Sequence, residues 1–280
     1  MAAETLEHKH ARALEILRSL ERVAVAFSAG TDSTLVLKLA LDALGPDNVV
    51  AVTGRSASLA IHELEQAVEI ARRLGARHVI LDTDELADPR YAANPVNRCF
   101  YCKSELYHRL ADFIAQHDLR AVVNGNNVDD LDDHRPGHAA AEGLPVRSPC
   151  IEAGLTKQDI RELSRRMGLP TADKPASPCL ASRIPYGEPV TPEKLRQIEA
   201  AESALHDMGF GVCRVRHHGT LARIELPADG IQKAAEPQTR TRIDAALRAC
   251  GFAYVALDLR GFRSGSLNEV IQVTLPGRAG

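Results

Sequence analysis

The chain has 280 residues, 45% of them hydrophobic, enough to bury a sizeable core in one large domain with a smaller appendage and too apolar for a disordered segment. Its 34 basic and 37 acidic residues leave a formal charge of -3, which offers no whole-molecule field to gather nucleic acid or an anionic membrane and points to a small-molecule substrate. No run approaches the roughly 20 apolar residues of a membrane span and the first residues lack a signal-peptide pattern, so the expected compartment is the cytoplasm, where the six cysteines stay reduced.

In chain order, the valine-rich run 22–27 predicts a strand, Ser28-Ala29-Gly30 a tight turn, and the all-round apolar stretch 34–44 a buried helix stopped by Gly45-Pro46. The unit recurs with a strand at 48–53 and a helix at 60–74 whose stripe is Ile61, Leu64, Val68, Ala71 and Leu74. Further strands are expected at 78–81 and 119–123, with a helix near 103–117 between them. This alternation predicts a parallel twisted sheet covered by helices, with ligands at the carboxyl ends of its strands. Thr156 and Asp159 have capping-box spacing for a helix to Gly168. The proline-rich stretch 171–192 reads as a loop or interdomain linker, and Thr191-Pro192 starts a helix running to Met208. Alternating strands at 212–217 and 221–226 around His218-Gly219, a helical stretch and a last strand at 254–259 predict a small α+β domain. The expected division is 1–188 and 189–280.

Ser28, Ala29, Gly30, Thr31, Asp32 and Ser33 lie between a predicted strand and a predicted helix, where successive backbone amides bind an anion and small side chains let phosphate oxygens approach. Ser28 and Ser33 add hydroxyl donors; ionised Asp32 cannot donate to phosphate and is expected to orient the loop or a magnesium ion. A P-loop NTPase would need a Gly-Lys-Ser/Thr that the loop lacks. The polar stretch 124–137, with Gly125, Asn126, Asp129, Asp132 and Asp133, follows a buried strand where a nucleotide would lie; a solvated loop is the alternative.

Cys99 and Cys102 form a Cys-x-x-Cys pair ahead of the 103–117 helix, between Arg98 and Lys103, a setting that favours thiolates. Cys179 lies in the proline-rich loop, flanked by polar groups. Together they supply three soft ligands, one short of a closed zinc site or a fully ligated iron–sulfur cluster, and structural, metal-binding and redox readings all stand for the pair. Cys150, Cys213 and Cys250 sit in apolar surroundings and read as buried. Alternation puts Arg214 and Arg216 on one face of their strand, and Arg223 with Glu225 on the polar face of the next. That face is either solvated or binds a substrate phosphate or carboxylate.

The segment Phe27–Ser33 resembles the Ser-Gly-Gly-x-Asp-Ser loop of the ATP pyrophosphatase (PP-loop) superfamily, with Ala29 at a position that family fills with glycine. The segments 94–103, 125–130 with 135–137, 179–187 and 261–265 resemble motifs of the LarE-type sulfur transferases, over about residues 20 to 270. The resemblance implies an adenine nucleotide alpha hydrolase-like fold, ATP and magnesium as cofactors, and adenylylation of a carboxylate on a pyridinium dicarboxylate mononucleotide, the precursor of a nickel-pincer nucleotide. Sulfur then displaces AMP to give a thiocarboxylate. Some members sacrifice the sulfur of the cysteine matching Cys179; others hold a [4Fe-4S] cluster on three cysteines, the kind implied by Cys99, Cys102 and Cys179 together. Arg214, Arg216 and Glu202 match charged positions near the family's sulfur site, and Arg183 and Tyr186 flank Cys179. A homo-oligomer is expected, with no nucleic-acid or membrane partner. The alternatives are a tRNA thiolase of the same superfamily, an ammonia-dependent amide ligase and a nucleotide-sensing iron–sulfur protein. Near-neutral charge, 4% aromatic content and a single Cys-x-x-Cys pair disfavour the first, and three cysteines without a task disfavour the second.

Overall fold

Short runs of valine and alanine too brief for helices pair side by side as strands. In the computed structural model, which describes residues 4–132, 140–263 and 267, β1 (Val23–Ala26), β2 (Val49–Arg55), β3 (Arg77–Asp82), β4 (Ala121–Val123) and β5 (Val146–Arg147) form a parallel sheet of order β3-β2-β1-β4-β5. Val23 lies opposite both Val49 and Ala121. Around the strands run α1 (Leu6–Arg18), α2 (Thr31–Leu44), α3 (Ile61–Arg73), the single turn α4 (Pro89–Ala92), α5 (Arg98–Gln116), the short α6 (Asp129–Asp132) and α7 (Pro149–Glu152), and α8 (Lys157–Arg166).

The two-residue period of a strand sorts the side chains. Val23, Val25, Val49, Ala51, Ala121 and Val123 join a core with residues of α1, α2, α3 and α8. Their neighbours Ala24, Val50, Val52 and Val122 join a second core under Tyr107, Leu110, Phe113 and Ile114 of α5. Leu35, Leu37 and Leu39 of α2 are fully buried; each such side chain contributes about 1.5–3 kcal/mol. Helices therefore cover both sheet faces, as the alternation predicts.

The chain divides into two compact units, 1–91 with 96–177, and 92–95 with 178–280. The division falls before Pro178, so 178–188 belong with the carboxy-terminal part. Residues 92–95 join them because the Asn94 side chain donates to the carbonyls of Pro185 (2.7 Å) and Glu188 (2.9 Å), while Gly187 N–H donates to the Asn94 carbonyl and Val190 N–H to that of Ala92. The second unit holds α9 (Pro192–Asp207), β6 (Arg214–His218), β7 (Leu221–Glu225), α10 (Ala228–Ala235), α11 (Pro237–Ala249) and β8 (Tyr254–Leu257). β6 and β7 are antiparallel and β8 adds parallel to β7. Val215, Ala222, Ile224 and Leu226 face a core shared with Leu205, Ile243 and Leu247.

Two helices differ from the sequence reading. On α3 the expected stripe is rotated: Ala67, Ile70 and Ala71 are buried, whereas Ile61 is 62% and Val68 44% exposed. Two small alanines one turn apart let the helix lie close on the sheet, and that outweighs the longer side chains on the neighbouring line. The helix expected from residue 103 begins at Arg98, which places Cys99 in its first turn and Cys102 at the start of the second, on one face at i, i+3 spacing. α1 and β5 add to the elements the sequence reading singled out. No helix among the described residues is long and apolar enough to cross a membrane.

Candidate active site

The strand order places the site. β1 is flanked by β2 and β4, so the connections leaving β1 and β4 diverge at a topological switch point, where doubly wound sheets bind nucleotides. The loop leaving β1 carries residues 28–33, and the loop leaving β4 carries Gly125 and Asn126. They pack without a gap: a Cβ on Gly125 would stand 2.7 Å from the Ser33 nitrogen and 2.9 Å from the Asp32 carbonyl carbon.

Gly30 caps α2 with no side-chain cap bond, so the cap residue itself leaves the first-turn amides to other acceptors, the arrangement by which helix starts bind anions. Ser28 and Ser33 meet through their hydroxyls at 3.1 Å, and Ser28 N–H donates to Ser33 Oγ. Ala29, fully buried, has φ +54°, the left-handed region that costs an L-residue about 1–2 kcal/mol. Thr31 Oγ1 donates to the Thr171 carbonyl at 2.8 Å. Lys157 Nζ pairs with Asp32 Oδ2, and its backbone N–H donates to Asp129 Oδ2. Asp32 is thus tied to α8, while its Oδ1 is buried with no hydrogen-bond partner among the described residues.

In the loop after β4, Asn124 Oδ1 accepts from Asn126 N–H and Ser148 Oγ, Asn127 Oδ1 accepts from Asp129 N–H, and Asp130 Oδ2 accepts from Asn127 N–H. Asn124, Asn127 and Asp130 are buried. Residues 124–130 are thus braced by their own side chains. Asp133 and Arg135–Gly137 lie outside the described residues, as do Ser264 and Gly265.

Two lysines that the sequence reading passed over touch the loop: Lys157, and Lys174, whose Nζ donates to the Ala29 carbonyl (3.2 Å) and to Glu63 (2.7 Å) and Gln66 (2.8 Å). Local pattern shows such a lysine only as a helix-surface or loop charge. Burial pushes the Glu63 carboxyl up, but hydrogen bonds from His62, Lys174 and Ser177 outweigh it and hold the group at about 2, against an ordinary 4.5. The ionised carboxylate thus stabilises the fold fully above about pH 4.5, and the contribution is lost as pH falls from there toward 2. Glu63→Gln should be less stable than wild type in urea at pH 7, with the difference vanishing by pH 2. A difference independent of pH would show that Glu63 acts by packing alone.

In the second unit, Cys179 precedes the single 3-10 turn Leu180–Arg183. Arg183 reaches both oxygens of Glu202 at 2.9 Å and donates to the carbonyls of Pro178 and Cys179. Glu202 Oε1 also accepts from Val215 N–H at 2.8 Å. Arg216 makes the matching fork with Glu225 (3.0 and 2.8 Å) and donates to the Ser182 carbonyl at 2.7 Å. Arg214 stacks over the Phe262 ring, 4.5 Å from its centroid, and donates to the Arg263 carbonyl. Burial, with Arg183 and Arg216 nearby, lowers Arg214 to about 10. Arg214, Arg216 and Glu225 are 4% exposed or less. The solvated-face reading is overturned, because the 3-10 turn and its carbonyls cover that side of the strands.

All six cysteines are thiols without disulfides; Cys99 is exposed, and Cys102 and Cys179 are half-buried. Burial pushes Cys150 and Cys213 up to about 12 and raises Cys250, itself half-buried. Cys99 and Cys102 belong to the first unit and Cys179 to the second. Among the described residues, neither unit alone holds three His, Cys, Asp or Glu side chains grouped to bind a metal ion.

Residues 14–93, which hold the phosphate loop, match the family model of NAD synthase. The pyridinium-3,5-bisthiocarboxylic acid mononucleotide synthase of Lactiplantibacillus plantarum is 41% identical over 95% of this chain and 96% of its own length. The chain belongs to the LarE-type sulfur transferases. This sulfur transferase is also 44% identical to an uncharacterized protein of Synechocystis sp., over 95% of this chain and 99% of that one. A tRNA-specific 2-thiouridylase of Azorhizobium caulinodans is 30% identical over 81% of the chain and 67% of its own. As a LarE-type sulfur transferase with a PP-loop, the protein is an ATP-dependent sulfurtransferase of a cofactor-biosynthetic pathway.

Proposed function

We propose that the protein adenylylates a carboxylate of pyridinium-3,5-biscarboxylate mononucleotide and converts it to a thiocarboxylate, with sulfur supplied at Cys99, Cys102 and Cys179. The likeness to the L. plantarum synthase along nearly its whole length carries this reading. ATP phosphates lie on the amides of Gly30–Ser33 and on the Ser28 and Ser33 hydroxyls. Asp32, whose Oδ1 is buried with no hydrogen-bond partner among the described residues, would hold a magnesium ion, which would neutralise charge on the triphosphate. The substrate carboxylate attacks the α-phosphorus, pyrophosphate leaves, and the acyl carbon becomes open to sulfur. Sulfur attacks that carbon, the C–S bond forms, and the C–O bond to AMP breaks.

Cys99 and Cys102, at i, i+3 spacing near the start of α5, and Cys179 are three soft donors, the number that a [4Fe-4S] cluster with one open iron would take, and such a cluster would supply sulfide to the activated carbon. Arg183 and Arg216 fix the carbonyls of residues 178, 179 and 182 and so hold the Cys179 loop, and Arg214 supplies positive charge for the substrate's second carboxylate or phosphate. A homo-oligomer completes the proposal.

The test is anaerobic purification with iron and acid-labile sulfide analysis, beside pyrophosphate release driven by the dicarboxylate mononucleotide. Wild type should bind iron, and Cys99→Ala, Cys102→Ala and Cys179→Ala should each lose most of it. If wild type and all three variants are equally free of iron, the cluster reading fails. A mass loss of about 34 Da at Cys179 after turnover would then point to sacrifice of its own sulfur.

A further inference from the structure

Ala29 stands where L-residues are strained, and the atom that grips it belongs to a residue far along the chain. Lys174 Nζ lies 3.2 Å from the Ala29 carbonyl oxygen, and the lysine is itself held from behind by Glu63 at 2.7 Å and Gln66 at 2.8 Å on the first turns of α3. The pair is well covered, with Lys174 15% and Glu63 12% exposed at the side chain. The same turn docks once more on the loop, through Thr31 Oγ1 and the Thr171 carbonyl.

A trans peptide is planar, with its C=O and N–H pointing in opposite directions, and the described chain has no cis peptide bond. Turning the Ala29 carbonyl toward Lys174 therefore turns the Gly30 N–H away from it. Gly30 sits at the cap of α2 beside the Ser28 hydroxyl, which a Cβ on Gly30 would meet at 3.4 Å. A flip of the 29–30 peptide would replace a donor with a carbonyl oxygen at that point and repel a phosphate.

We infer that Lys174 is a positioning residue for the ATP step: by holding the Ala29 carbonyl it sets the 29–30 peptide and keeps the strained loop in its phosphate-binding form, with Glu63 and Gln66 as its anchor. Lys174 acts through the loop backbone and not by touching the phosphates. The inference rests on ATP phosphates occupying this loop.

The experiment is calorimetric binding of magnesium pyrophosphate to the full chain, beside the KM for ATP and kcat. Lys174→Met should weaken pyrophosphate binding about tenfold, the loss of one charged hydrogen bond. The KM for ATP should rise with it while kcat changes less, and Lys174→Arg should keep most of the affinity. Glycine adopts φ +54° without a Cβ penalty, so Ala29→Gly placed in the Lys174→Met background should recover most of the loss. Unchanged affinity in Lys174→Met overturns the inference. A loss that Ala29→Gly does not recover also overturns it, since the lysine would then be contacting phosphate itself. If Lys174→Met does not fold, Glu63→Gln takes its place, with a loss recovered by Ala29→Gly in support and no loss, or an unrecovered one, against. Wild-type protein that binds no pyrophosphate overturns the loop assignment, and the role of Lys174 with it, whereas failure confined to the variants leaves the loop assignment standing.

Discussion

Replacing Gly125 by alanine is expected to lower ATP–pyrophosphate exchange by about a hundredfold or more, since a displacement near 1 Å at a reacting group costs that much. The added methyl would meet the Ser33 nitrogen at 2.7 Å, the Asp32 carbonyl carbon at 2.9 Å and Asp32 Cβ at 3.1 Å. Two of these are backbone atoms of the first turn of α2, which cannot swing aside as a long side chain can. Either the β4 loop or the phosphate loop must move, and overpacking of this kind costs about 1–3 kcal/mol. The stability loss should be modest and the activity loss large, because the same atoms belong to the amides proposed above to bind the triphosphate. Exchange within threefold or so of wild type would mean that the two loops separate easily, and that Gly125 is not what brings them together.

The second large effect is expected at Arg183. Its guanidinium and the Glu202 carboxylate are 6% and 3% exposed, and Arg183→Met leaves that carboxylate buried with the Val215 N–H as its remaining hydrogen-bond donor among the described residues. Breaking a buried pair on one side costs about 3–5 kcal/mol. For a unit of 60–100 residues that lowers the melting transition by more than about 10 °C. Removing both charges together, as Arg183→Met with Glu202→Leu, should recover much of the stability and none of the sulfur transfer, because the Pro178 and Cys179 carbonyls stay unheld. A single variant that melts within a degree or two of wild type would show that the fork is not structural.

Much of the first unit was legible from local pattern. A valine strand, a small-residue turn and an all-round apolar helix can pack only as a covered parallel sheet, and the Thr156 and Thr191 caps are written within four residues of each helix start. α1 escaped because its charged outer face hides a short apolar line, and β5 because two residues carry no period. On α3 two lines satisfied the same helical spacing, and only the sheet decides between them. The site divides in the same way. Ser28–Ser33, Gly125 and the cysteines announce themselves by residue type, whereas Lys174 and Lys157 matter through partners more than a hundred residues away. The arginines were legible as a shared face, but not their carboxylate forks, since alternation shows which side a residue takes and not what covers it.

The short stretch 92–95 has a meaning for how such a protein can be inherited. Four residues from the first third of the chain are bonded into the carboxy-terminal unit through Asn94 and Ala92. A recombination event that exchanged only the tail from Pro178 onward would set that tetrapeptide against an incoming loop, and the Asn94 bonds would re-form only where the new backbone presents its carbonyls as residues 185 and 188 do here. The two units are interlaced along the chain, and an exchange that replaces 92–95 together with the tail is expected to keep those bonds intact.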